Sequence, residues 1–207
     1  MKKILTLAIA VLFAPLIATF TATTALAGDA NNGKALAVTC LACHGEKGNS
    51  MVPSFPNIAA QTEQYLTKQL REIQGGERDI ASMAGLLDGM SEQDLNDIAA
   101  YYAGQPRNFG AAKADLAELG ESIFRVGIPR KSIASCAACH SPTGQGNGPA
   151  GFPALAGQWP DYTVSQLKAF QSGERHNDGD SQMMRATAQD LTDKEMKAVA
   201  SYLYGLQ

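Results

Sequence analysis

Apolar residues recur at spacings of three and four along most of the chain, which is the period of a helix that buries one face. The clearest cases are residues 91–102 and 192–203. Each begins with a serine or threonine followed three positions later by an acidic residue, the sequence of a capping box at a helix start. Loops rich in Gly, Pro and Asn separate the helical segments, and no long run alternates β-branched with polar residues. The pattern predicts an all-α protein.

The helical segments fall into two similar halves, each with a first, a central and a last helix. The first helices are expected to begin at Asn31 and at about Asp115, and the central helices to span about 62–73 and 161–170. The second half is longer than the first between its first helix and the segment that follows. We therefore expect an insertion around residues 127–131.

Short sequences of the first half return 97 residues later in the second half. Residues 55–61 read Phe-Pro-Asn-Ile-Ala-Ala-Gln, and residues 152–158 read Phe-Pro-Ala-Leu-Ala-Gly-Gln. The same offset joins three polar pairs: Tyr65 with Tyr162, Gln69 with Gln166, and Arg78 with Arg175. One domain is therefore written twice. We expect domains at 28–105 and 106–207, with a linker that contains Gly and Pro at about 103–114.

Each half contains the sequence Cys-x-x-Cys-His, at residues 40–44 and 136–140, and the two copies use all four cysteines of the chain. This pattern is typical of a covalently attached c-type haem. On one helix face, two thiols can reach the vinyl groups of a porphyrin while the histidine points at its iron. We therefore predict two covalently bound haems c. The predicted thioether residues are Cys40, Cys43, Cys136 and Cys139, and the predicted iron ligands are His44 and His140.

Two other kinds of site use paired cysteines. A Cys-x-x-Cys pair can be half of a zinc site or a redox-active dithiol, and a zinc site built from both copies would need them side by side. Four cysteines in an exported chain can also form two disulfides, although a disulfide within Cys-x-x-Cys is usually catalytic. Neither alternative accounts for the histidine that follows both pairs.

A methionine thioether is a strong candidate for the second axial ligand of each iron. Met83 and Met184 each lie eight residues ahead of the capping residue of a last helix, so the repeat selects Met184 over its neighbour Met183. Iron held between imidazole and thioether has a high reduction potential and no open position for oxygen or peroxide. The ligand set therefore predicts an electron carrier and not a catalyst.

The second ring nitrogen of each ligating histidine is expected to donate to a backbone carbonyl, which fixes the tautomer. Pro56 and Pro153, 12 and 13 residues after His44 and His140, are the candidates, and stiffening of a loop is their alternative role. The remaining histidine, His176, lies in a polar segment and is expected at the surface. Because each half is small for an independent apolar core, we expect the haem to act as the core of its domain.

The first residues of the chain predict export. Lys2 and Lys3 precede an apolar stretch, and small residues end at Ala27 in an A-x-A pattern, so residues 1–27 are expected to be a cleaved signal peptide. An uncleaved N-terminal anchor is the alternative, because the apolar stretch is long. Loss of both lysines changes the net charge from −3 to about −5, and nothing in this composition suggests nucleic-acid binding. We expect a periplasmic protein, soluble or loosely associated with the membrane.

These motifs together resemble the diheme cytochrome c4 family. The resemblance rests on two Cys-x-x-Cys-His domains, the Phe-Pro-x-(Ile/Leu)-Ala-x-Gln sequence after each motif, and a methionine before each last helix. It implies two class I cytochrome c folds packed with pseudo-twofold symmetry, with haem propionates facing each other. It also implies periplasmic electron delivery towards a terminal oxidase, from an upstream quinol-oxidising complex or a small cytochrome.

Two other functions remain open from the sequence. A diheme cytochrome c peroxidase also has two haem motifs in an exported chain, but it needs an iron that opens for peroxide, and this chain is short for that family. The other alternative is a cytochrome subunit docked permanently to a larger dehydrogenase or oxidase. The function that we expect is one-electron transfer in a respiratory chain, with passage between the two haems of one molecule.

Overall fold

The computed structural model describes residues 27–207, so the predicted signal peptide lies almost wholly outside the described residues. Within that range the regular structure is helical apart from two isolated β-bridges, which confirms the predicted all-α fold. The α-helices are α1 (Ala30–Leu36), α2 (Leu41–His44), α3 (Glu63–Gly75), α4 (Glu92–Ala103), α5 (Ala114–Val126), α6 (Cys136–His140), α7 (Pro160–Ser172), α8 (Met183–Ala188) and α9 (Asp193–Gly205). Among the described helices, none is long and apolar enough to cross a membrane.

The first and last helices of each half cross at a glycine. A Cβ atom on Gly33 of α1 would lie 1.9 Å from the carbonyl oxygen of Asp97 in α4, and one on Gly120 of α5 would lie 2.3 Å from that of Ala198 in α9. Real Cβ atoms do not come so close to an oxygen, so only glycine allows these helices to pack backbone against backbone. The same crossing therefore organises both halves.

The last helices begin as the sequence predicts. The Ser91 hydroxyl accepts a bond from the Asp94 amide, and the Asp94 carboxylate accepts one from the Ser91 amide. Thr192 and Glu195 form the same reciprocal pair at the start of α9. Each capping box satisfies amide groups that a helix start leaves unpaired.

The two halves differ in how the first helix reaches the Cys-x-x-Cys-His segment. In the first half, a 3₁₀ turn at Ala37–Cys40 joins α1 directly to α2. In the second half, α5 ends at Val126, and the chain makes an additional loop that is closed by backbone bonds between Ile128 and Ile133. Both isoleucines are buried in the apolar core of the second half, which the insertion therefore enlarges.

A buried carboxylate fastens this insertion to the start of α9. Nζ of Lys131 donates to Oε2 of Glu195 at 2.6 Å and to the carbonyl of Asp190 at 2.8 Å. Burial raises the pKa of the Glu195 carboxyl, but the hydrogen bonds from Lys131 and Thr192 together lower it by more. The pKa therefore lies below its usual range. The folded second half therefore favours the ionised carboxylate.

Replacing Glu195 with glutamine is expected to destabilise the protein at neutral pH but not in acid. A carboxyl with a lowered folded pKa adds stability above its unfolded pKa of about 4.3, and this stability is lost as the pH falls through the folded pKa. Loss of about 1 kcal/mol should lower the Tm of the second domain by about 5 °C at neutral pH. Calorimetry of the haem-loaded protein should show this gap closing as the medium is acidified. The exposed Asp193→Asn change is the control, and a gap for E195Q that stays constant with pH would contradict the assignment.

The segment between α4 and α5, which connects the two halves, is hydrogen-bonded to both halves. Asn49 donates to the carbonyl of Pro106 and accepts from the amide of Asn108, both at 2.8 Å. Two residues later the amide of Gly110 donates to the carbonyl of Tyr204 at 3.0 Å. The connection between α4 and α5 is therefore held in place by hydrogen bonds to both halves and is not a flexible linker.

Candidate haem-binding site

One continuous cavity of about 1020 Å³ extends through both halves of the molecule. Every residue predicted to hold or support a haem lines it: Cys40, Cys43, His44, Pro56, Met83, Cys136, Cys139, His140, Pro153 and Met184. The walls between these residues are largely aliphatic and aromatic, as a porphyrin face requires. The structure thus brings the two sets of predicted residues to a common space.

The histidines end short helices that place them in the cavity wall. The chain turns sharply after each one, at Gly45 and at Ser141, where φ is 73° and 69°. Nδ1 of His44 lies 3.0 Å from the carbonyl oxygen of Pro56, and Nδ1 of His140 lies 2.8 Å from that of Pro153. Since a carbonyl only accepts, Nδ1 carries the proton and Nε2 keeps the lone pair that can bind a metal.

Both histidines are held in the neutral form. Burial lowers the pKa of His44 and His140, and the bond to the proline carbonyl offsets this effect only in part. Neutral imidazole is the form that ligates a metal. Their environment is therefore suited to axial ligation. The third histidine, His176, is exposed, in agreement with the sequence analysis.

The first thiol of each motif lies in surroundings that disfavour a thiolate. Burial raises the pKa of the Cys136 thiol to about 11 and raises that of Cys40 as well. Zinc binding and dithiol exchange both need thiolates. Within residues 27–207, no three His, Cys, Asp or Glu side chains come close enough to hold a metal ion together, and the four cysteines form no disulfide. Neutral thioethers to a haem suit these positions better than either alternative.

The methionines lie on the segments between the central and last helices. Met83 ends a 3₁₀ turn at Ala81–Met83, and Met184 lies in the first turn of α8. Both side chains are half-buried and line the cavity, and Met183 also borders it but is 42% exposed. The sequence predicts loops between the helical segments, and α8 differs from that expectation.

An ion pair explains why a helix forms around Met184. The Asp178 carboxylate, which is almost fully buried, accepts bonds from the Arg185 amide at 2.9 Å and from its Nε at 2.7 Å. The first half has four fewer residues between Arg78 and its methionine, and that shorter segment has no counterpart to this pair. The two methionines therefore sit on segments of different construction.

Two arginines that the sequence analysis noted only as repeats meet at the boundary between the halves. Arg78 donates to the Tyr162 hydroxyl, and Arg175 donates to the Tyr65 hydroxyl, both at 3.0 Å. Each arginine also bonds Gln69 and Gln166, so the network has the twofold symmetry of the repeat.

These guanidinium groups lack an anionic partner within the described residues, since no carboxylate lies within ion-pair distance of either. Burial raises the pKa of Tyr65, but the nearby positive charges of Arg175 and Arg78 lower it, and the net shift is downward. Cationic groups that line an apolar cavity suit the carboxylates of a haem. Arg78 and Arg175 are therefore residues that could hold haem propionates.

The twofold symmetry fails at Asn177. Its Nδ2 donates to Oε1 of Gln69 at 2.9 Å and to Oε2 of Glu72 at 2.7 Å, and its carbonyl accepts from Nζ of Lys68 at 2.7 Å. These three partners belong to α3 of the first half. The residue 97 positions earlier is Ile80, whose side chain cannot make the two bonds that the Asn177 amide donates. Within the part of the chain that the structure describes, the segment that carries Met184 is thus braced from the opposite half and the segment that carries Met83 is not.

Comparison with known proteins gives a consistent result along the whole described chain. The family model for cytochrome c matches residues 30–104 and 119–207. Cytochrome c4 of Pseudomonas aeruginosa is 47% identical over 180 residues, which are 87% of this chain and 90% of that protein. The crystal structure of reduced recombinant cytochrome c4 from Pseudomonas stutzeri superposes with a TM-score of 0.86 at 45% identity, and covers 87% of this chain and 100% of that one. The thiosulfate dehydrogenase electron acceptor of Thiomonas intermedia is 36% identical, over 81% of this chain and 78% of that protein.

Proposed function

We propose that this chain, which belongs to the cytochrome c4 family and is a diheme electron-transfer protein, carries single electrons through the periplasm towards a terminal oxidase. The observation that carries the proposal is the single cavity lined by both histidine and methionine pairs. Family membership removes the diheme peroxidase from consideration, because this chain is an electron carrier and not an enzyme.

The residues take distinct roles in this proposal. When bound, each haem iron supplies a site that exchanges one electron between Fe(III) and Fe(II). Cys40 and Cys43 tether the first haem, and Cys136 and Cys139 tether the second. His44 with Met83, and His140 with Met184, would hold the two irons and leave no open position for other ligands. Pro56 and Pro153 orient the two imidazole rings through their carbonyl groups.

The direction of electron flow rests on the ligand type and on the predicted export signal. A thioether ligand raises the potential of the iron, which suits a donor to an oxidase better than a donor to a low-potential acceptor. The A-x-A pattern that ends at Ala27 supports a periplasmic location. The upstream donor would be a quinol-oxidising complex or a small cytochrome.

The test is oxidation of the reduced protein by membranes that contain a terminal oxidase. We expect both haems to be reoxidised, and cyanide to abolish the reaction while the protein itself remains reducible. Peroxide turnover is measured on half-reduced protein in parallel, and none is expected. Failure of the membranes to oxidise the protein would reject the proposed direction of transfer.

A second role is favoured by one relative. The Thiomonas intermedia protein is named as the electron acceptor of a thiosulfate dehydrogenase, and it matches most of this chain. A dehydrogenase of a small inorganic anion is therefore a candidate donor. Purified thiosulfate dehydrogenase with thiosulfate should reduce the protein if this role holds, and mixing in the absence of thiosulfate is the control.

A further inference from the structure

The peptide group between Pro56 and Asn57 is hydrogen-bonded on both sides. Its carbonyl accepts from Nδ1 of His44 at 3.0 Å, and its N–H donates to Oε1 of Gln158 at 2.8 Å. His44 belongs to the first domain, whereas Gln158 belongs to the second. A hydrogen-bond chain therefore runs from the first histidine through one amide to a side chain of the opposite domain.

The second domain repeats this chain in the reverse direction. The Pro153 carbonyl accepts from Nδ1 of His140 at 2.8 Å, and the Ala154 N–H donates to Oε1 of Gln61 at 2.7 Å. Nε2 of Gln61 donates to the carbonyl of Ala154 at 2.9 Å. Because the Oε1 atom of the Gln61 side chain faces an N–H donor and its Nε2 atom faces a carbonyl acceptor, the orientation of this amide group is determined. Gln158 makes the equivalent second bond, to the carbonyl of residue 57, at 2.8 Å.

Such a chain transmits polarisation. A peptide group whose N–H is engaged has a more negative carbonyl oxygen, and hydrogen bonds in series strengthen one another. The stronger acceptor draws on the Nδ1 proton and makes the imidazole a more basic ligand at Nε2. A more basic ligand favours the ferric state of an iron that it binds, and so lowers the reduction potential.

We propose that Gln61 and Gln158 are positioning residues that tune the haem of the opposite domain. Gln158 acts on the haem ligated by His44, and Gln61 acts on the haem ligated by His140. The inference rests on the axial roles proposed above for these histidines. Both glutamines sit at the interface, so contact between the domains itself adjusts both potentials.

Replacing one glutamine with methionine keeps the side-chain length but removes the strong acceptor, and its effect should appear in the other domain. In haem-loaded protein, Q158M is expected to raise the potential of the first haem and Q61M that of the second. A threefold change in the ferric-to-ferrous ratio corresponds to about 28 mV, at 59 mV per tenfold. Spectroelectrochemical titration resolves one redox wave for each haem, and a Met83→Ala variant identifies the wave that belongs to the first haem.

A merely structural role would give a different pattern. Each Oε1 also accepts from the next amide of its own chain, at Thr62 and at Trp159, so loss of the side chain could loosen the interface and shift both waves together. Trp159→Phe is the matched control, because it removes a bond at 3.0 Å to the carbonyl of Ser50 but leaves the peptide groups untouched. We expect it to move neither wave.

A second readout follows the proton in the chain directly. The NMR signal of the histidine Nδ1–H should move upfield only for His44 in Q158M and only for His140 in Q61M. Parallel shifts of both haems in either variant, or no shift, would overturn the proposal, and Q158L and Q61L repeat the test if a methionine variant unfolds. If the unmodified protein does not show a separate one-electron titration wave for each of two low-spin haems, the proposed function itself is overturned.

Discussion

Replacing Cys136 and Cys139 together with alanine is expected to leave one covalent haem per molecule and to unfold most of the second half. The apolar residues of that half surround the cavity that its haem would fill, and an unfilled cavity of this kind leaves their inner faces without packing partners. Domains of this size are stable by only about 5–15 kcal/mol, so the loss of a central group is enough to disorder one. The haem-to-protein ratio after acid extraction and the near-ultraviolet circular dichroism measure the two effects.

The matched variant in the first half supplies the control. Alanine at Cys40 and Cys43 should remove the other haem and disorder residues of the first half, whose buried cluster is the smaller of the two. A native near-ultraviolet spectrum in either variant would contradict the role of the haem as a core. Two covalent haems after both changes would contradict the attachment sites.

Replacing Met184 with alanine is expected to halve the weak methionine-to-iron band at the red end of the spectrum. It should also lower the potential of one haem by on the order of 100 mV, a fraction of the ~0.8 V range that axial ligands command. The open position should then bind cyanide rapidly. Met83→Ala should have the same effects on the other haem, and the double variant should lose the band completely.

The neighbouring methionine gives a control one position away. Met183 is exposed, and its replacement by alanine should leave the band and both potentials unchanged. If Met183→Ala removes the band while Met184→Ala retains it, the alignment of the two repeats by their capping residues is wrong.

Much of the fold was accessible from local signals in the sequence. The central helices end within a few residues of their expected limits because apolar spacing and flanking loop residues agree there. Helix α8 was missed because its six residues have no apolar period. The helix depends on the pair between Asp178 and Arg185, which forms only when the segment folds back on itself.

The interface was present in the sequence but was not recognised. Tyr65, Gln69 and Arg78 recur at the 97-residue offset, which singles them out among the polar residues. That signal identifies the residues but not their partners, because the repeat cannot show that each copy bonds the other copy. The direction of the glutamine side chains, on which the crossed hydrogen bonds depend, is likewise set by tertiary contacts alone.

The brace at Asn177 means that the two halves of this molecule are not interchangeable. A duplicated domain starts as two interchangeable copies, and a symmetric dimer of either copy would preserve every contact of the arginine network. A dimer of two first halves would present Ile80 to the opposite α3 and lose the two bonds that the Asn177 side chain makes to Gln69 and Glu72. Neither half can therefore be replaced by a copy of the other without loss of this brace.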